Sequence, residues 1–152
     1  MLNKGDLNVS FKVNVGRSFL LRAKHDSDII DFLTEFAKKN EITTASFTAI
    51  GALKSAKFGF YDQEKHEYSE VSLSLPQEIA SCIGNVSLKE GKPITHAHAV
   101  LTDQNGNTRG GHLLEGKVFA AEVHLTELTG TEPIRKNDVA TGLSLWERNT
   151  QI

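Results

Sequence analysis

A chain of 152 residues, 39% apolar and 24% charged, has the size and composition of one folded domain with a real core, and no stretch of it is polar enough to read as disordered. A formal charge of -2, with Lys and Arg scattered along the chain, argues against a protein that holds nucleic acid by its phosphates. The single cysteine, Cys82, excludes an internal disulfide framework, and its apolar neighbours suggest an inert buried thiol.

No signal-like apolar opening and no run of membrane-spanning length is present, so the expected compartment is the cytoplasm. No repeat, low-complexity tract or linker divides the chain, and residues 1–152 are read as a single domain.

Alternation and β-branched or aromatic residues from Val13 to Arg22 predict a strand. From about Asp28 to Lys39, Ile29, Ile30, Leu33, Phe36 and Ala37 recur at helical spacing. Ser27 or Asp28 can cap that helix, Lys38 and Lys39 suit its negative end, and Asn40 is its expected stop.

Beyond Asn40 the pattern turns to strands. Thr43–Tyr61 reads as one long or bent strand with Gly51 and Gly59 as candidate bulges. Strands follow over Glu67–Leu75, Glu78–Leu88 and Ile94–Leu101, and Asp103–Asn107 carries a hairpin signal in Asn-Gly. A further strand is expected from Arg109 to Glu127, interrupted at Gly116, with a short tail strand near Leu143–Trp146. One helix against many hairpin-linked strands gives an α+β fold with a mostly antiparallel sheet packed with one main helix.

The chemistry gathers around one hairpin. In Thr95-His96-Ala97-His98 the two-residue spacing puts both imidazoles on one face of a strand. Register decides whether His112 on the returning strand joins them. A two-residue turn would point it away; a three-residue loop with Gly106 left-handed, or a bulge at Gly110–Gly111, would bring it beside His98. With one of those devices His96, His98 and His112 form a three-imidazole metal site, the alternative being ordinary strand histidines. Zinc suits such a donor set best, with Fe, Ni or Co the other choices, and a fourth coordination position stays open.

Asn85 falls near His96 if Glu90–Gly91 joins neighbouring strands, and could support it. Glu122 and His124 share one face of the long strand, as an acid/base pair near the metal or as a solvated face. His25 and His66 read as surface residues. No phosphate loop, nucleophile elbow or His-Glu-x-x-His occurs.

From about Phe19 to Glu127 the sequence resembles the plants-and-prokaryotes-conserved (PPC) domain family. The resemblance rests on the amphipathic helix, Phe47-Thr-Ala-Ile-Gly-Ala-Leu53, Phe60-Tyr-Asp62 with Glu67-Tyr68, Ile83-Gly-Asn-Val-Ser87, Thr95-His-Ala-His98 and Gly110-Gly-His-Leu-Leu-Glu-Gly116. It implies a sheet-and-helix fold, a homotrimer, and metal at His96, His98 and His112, with Gly110 and Gly111 matching as well. It also implies a regulatory or DNA-associated module. Plant members touch DNA through an AT-hook, and these 152 residues contain no such segment: Gly16-Arg17 and Arg109-Gly110 lack the Pro and the basic flanks. The alternative is a metal-dependent, hydrolase-type enzyme acting on a small molecule. Exposed apolar residues such as Phe58, Phe60 and Trp146 would suit coverage by a partner or plain core packing.

Overall fold

The computed structural model describes residues 9–147. Eight strands and one helix follow in the order β1 (Asn14–Ala23), α1 (Ile29–Lys39), β2 (Ala45–Asp62), β3 (Glu67–Leu73), β4 (Gln77–Lys89), β5 (Lys92–Thr102), β6 (Thr108–Thr129), β7 (Ile134–Asn137) and β8 (Ser144–Glu147). β2, β6, β5 and β4 pair in that order, and β4 returns to pair with β2, so the sheet closes into a ring. β1 and β3 extend it from β6 and β2, and β7–β8 extend it from β4. All ladders are antiparallel except the short β4–β7 pair.

α1 packs on β5 and β6 beyond the point where those two strands part. Ile29, Leu33 and Ala37, four residues apart, form its buried seam and meet Leu53, Leu101, Val118 and Leu125 in one core. The cap is Asp28. Its Oδ1 accepts from the N–H of Ile30 at 2.8 Å and of Asp31 at 3.1 Å. Its Oδ2 accepts from Gly116 N–H at 2.6 Å, so one carboxylate both starts the helix and ties it to β6. Further along, Thr34 Oγ1 lies 2.8 Å from Thr95 Oγ1, which fixes the helix against the strand carrying His96 and His98.

Strand ends shift by up to two residues from the sequence reading, and three differences have a physical reason. β6 runs through Gly116 without a break. That residue is a glycine for space, since a Cβ there would sit 3.0 Å from Ile29 Cγ2 and 3.1 Å from Leu53 Cδ1. β3 stops at Leu73, before Pro76. β7 was not foreseen, because Ile134-Arg-Lys-Asn137 holds a single apolar residue and shows no alternation. Phe58 belongs to the core, whereas Phe60 is 70% and Trp146 40% exposed. Cys82 is buried, and burial pushes its thiol up to about 11. No helix among the described residues is long and apolar enough to cross a membrane.

Candidate metal centre

The β5–β6 hairpin decides the geometry. Asp103 N–H donates to Asn107 O at 3.0 Å, leaving a loop of residues 104–106 with Gly106 at φ 79°. The Asp103 carboxylate accepts from the N–H groups of Asn105 and Asn107 at 2.8 and 3.0 Å and stiffens the turn. This three-residue loop sets the register that places His98 directly opposite His112. The β5–β6 ladder has no bulge at Gly110–Gly111; Gly110 lies opposite Val100 and Gly111 opposite Ala99. A Cβ on Gly110 would come within 2.7 Å of Ala99 O, so the strands approach more closely there than a side chain allows.

The three rings converge. Centroids are 5.3 Å apart for His96–His98, 4.9 Å for His96–His112 and 5.5 Å for His98–His112. One nitrogen from each lies within 4.8 Å of the others. A tetrahedral ion with bonds of about 2.0–2.1 Å needs nitrogens about 3.3 Å apart, so the rings would draw closer to hold one. His96 and His112 are half-buried and His98 is exposed. Burial first, then Arg135 and the two neighbouring imidazoles, pushes His96 down to about 4. Burial, with His98 and Arg135, also lowers His112. Neutral rings are the state that binds metal, so the donor set fits a divalent transition ion.

Asn85 stands opposite His96 in the β4–β5 ladder, and Arg135 connects them. Arg135 Nη2 lies 2.9 Å from Asn85 Oδ1 and 3.2 Å from His96 Nδ1. The site opens on a cavity of about 550 Å³ whose walls include Phe60, Tyr61, Tyr68, Arg135 and Leu143. Tyr68 stacks toward His112 with centroids 6.1 Å apart.

Glu122 and His124 do point to one face, both exposed. His98, Ile83, Thr48 and His124 lie in one row across β5, β4, β2 and β6. Three strand spacings put His124 about 14 Å from His98 along the sheet. His124 borders a shallower hollow of about 440 Å³ with His96 and His98, and also a second one with Glu122, Leu20 and Ile50 that the three histidines do not reach. His25 Nδ1 lies 2.7 Å from Phe119 O, outside the site. Sequence reasoning missed Arg135, Tyr61 and Tyr68; Tyr68 faces Tyr61 across the β2–β3 ladder, whose pairing alternation alone could have suggested.

The sequence profile of the Plants and Prokaryotes Conserved (PCC) domain, the PPC domain named above, matches residues 10–129. The chain belongs to this family. A metal-containing protein from Archaeoglobus fulgidus is 44% identical, with a TM-score of 0.89, over 92% of this chain and 99% of that one. A PPC protein from Pyrococcus horikoshii is 42% identical, with a TM-score of 0.88, over 92% and 97%. A protein from Ralstonia eutropha, provisionally called DNA-binding, is 28% identical with a TM-score of 0.76 over 85% and 90%. Among curated proteins none matches.

Proposed function

We propose that this PPC protein is a metal-binding regulatory module, a homotrimer whose His96, His98 and His112 hold one zinc ion per chain. The convergence of three imidazole nitrogens within 4.8 Å carries the reading. The metal-containing A. fulgidus relative supports it. Zinc is preferred because the donor set is all imidazole, borderline in softness and without carboxylate or thiolate. When bound, zinc would supply Lewis acidity at an open coordination position.

Self-association is supported by the outward face of the sheet. Leu20, Ile50 and Ile83 are 86%, 62% and 58% exposed on β1, β2 and β4. Single exposed apolar residues are ordinary, but three close together on one sheet face suit coverage by another copy.

The open cavity over the histidines favours a second reading, hydrolysis of a small molecule by metal-activated water. That cavity has no Asp or Glu among its lining residues, and neither Glu122 nor His124 lines it, although His124 borders the shallower hollow beside His96 and His98. No carboxylate thus stands in the cavity over the three histidines, which favours binding over hydrolysis. Direct contact with DNA has no AT-hook to make it, and Arg17, Lys54 and Lys57 are engaged with Glu127, Asp26 and Glu115.

A thermal melt of chelator-treated protein tests the proposal. Stoichiometric zinc should raise the midpoint and excess chelator should reverse it; an unchanged midpoint contradicts zinc binding to the folded state.

A further inference from the structure

The most unusual group near the centre is a cation without an anion. Arg135 is only 9% exposed, yet no carboxylate among the described residues pairs with it. Buried arginines are ordinarily paired, because removing a full charge from water is costly. Here the acceptors are all neutral. Nε donates to Ser87 Oγ at 2.9 Å and Nη1 to Ser144 O at 3.0 Å. Nη2 serves Asn85 Oδ1 at 2.9 Å and His96 Nδ1 at 3.2 Å. The guanidinium has five N–H donors, so one Nη1 hydrogen is left over. Trp146 lies against the guanidinium at 5.5 Å, adding a weak neutral partner.

The contact with His96 points the same way. A guanidinium can only donate, so in the metal-free ring Nδ1 of His96 accepts there and the ring proton sits on Nε2. Metal-bound imidazoles ordinarily donate their second N–H to a carboxylate or carbonyl. On a metal-bound, neutral His96 that proton would sit on Nδ1 and face Arg135, so the contact opens and frees one Nη2 hydrogen. A divalent ion on three neutral rings beside Arg135 gives the site a formal charge of about +3. The wall of this cavity supplies no acid to balance it; Glu70 and Glu90 line an adjoining cavity with His112 and Arg135 but pair with neither.

We propose that Arg135 is the recognition residue for a small carboxylate that enters this cavity and reaches the metal, with 2-hydroxy and 2-oxo acids the fitting class. This rests on the metal reading above. With one free hydrogen on Nη1 and, once metal opens the His96 contact, one on Nη2, the planar fork can meet a carboxylate, and an oxygen on the adjacent carbon can address the open metal position in the same ligand. A cavity of about 550 Å³ admits a molecule of that size, and Phe60, Tyr61 and Leu143 give its carbon skeleton an apolar wall.

The test is calorimetric titration of zinc-loaded protein with lactate, its neutral analogue lactamide, and inorganic phosphate, with zinc content measured in every sample. The cobalt-substituted protein provides a visible spectrum as a second readout. Lactate should bind more tightly than lactamide and phosphate by about tenfold or more, as a hydrogen-bonded charge implies. Arg135→Gln should lose that preference while keeping its metal, and Arg135→Lys should keep part of it. Equal binding of lactate and lactamide in the wild type overturns the inference whether or not the variants fold. Phosphate binding as tightly as lactate overturns the carboxylate assignment. Unchanged lactate affinity in metal-loaded Arg135→Gln overturns the role of Arg135. Wild type that takes up no zinc overturns the metal reading, and this inference with it; the zinc measurement separates that failure from the others.

Discussion

His98 and His112 face each other across the β5–β6 ladder because the loop between Asp103 and Asn107 has three residues. Side chains on a strand alternate with a period of two, so a loop one residue shorter would turn His112 to the other face. The three-histidine cluster is therefore encoded as much by Gln104, Asn105 and Gly106 as by the histidines.

The close approach at Gly110 is part of the same device. In Gly110→Ala the new Cβ would meet Ala99 O at 2.7 Å, and the strands must separate. All three ligands remain, yet zinc affinity should fall by about tenfold or more, as it does when the support of a ligand is disturbed. Competition against a chromophoric chelator measures this, and an unchanged affinity contradicts the claim that strand spacing sets the site.

The metal-free protein should lose stability in acid through His96. Its pKa is about 4 folded, against 6.5 for an unperturbed ring. Between those values the unfolded chain takes up a proton that the folded ring refuses. Stability therefore falls as pH drops from 6.5, and this contribution is fully lost below about 4. His112, also lowered, adds in the same direction. Denaturation of chelator-treated wild type and His96→Gln across this range isolates the effect, since carboxylate titrations are common to both. The wild-type curve should fall more steeply; parallel curves contradict a neutral, desolvated His96.

Assembly can be separated from folding. Ile50 and Ile83 are exposed on the outer face, so Ile50→Asp and Ile83→Asp leave the core untouched. Light scattering should give three times the chain mass for wild type and one chain mass for the double variant, with both folded by circular dichroism. A monomeric wild type contradicts the trimer.

Much of this was legible because it depended on local pattern. The helix showed itself through Ile29, Leu33 and Ala37, and its cap was narrowed to Ser27 or Asp28, of which the structure uses Asp28. His96 and His98 declared a common face by spacing alone, and Gly106 offered the loop that aligns His112. Arg135 was not legible. It sits in a four-residue strand whose parallel partner, around Leu88 and Lys89, is distant in sequence. Beside Lys136 it read as one more scattered base, and only the folded chain reveals that its charge is buried. Gly116 misled for a related reason: glycine in a strand suggests an interruption, but here it makes room for Ile29.

The central claim is the metal centre, and elemental analysis of untagged protein purified without chelator tests it most directly, beside His98→Ala and His112→Ala. About one zinc per chain in the wild type, and none in either folded variant, is the predicted result, since a three-ligand site does not survive loss of a ligand. A folded wild type that carries no metal even after incubation with zinc would contradict the account and leave the three histidines as structural residues of the sheet.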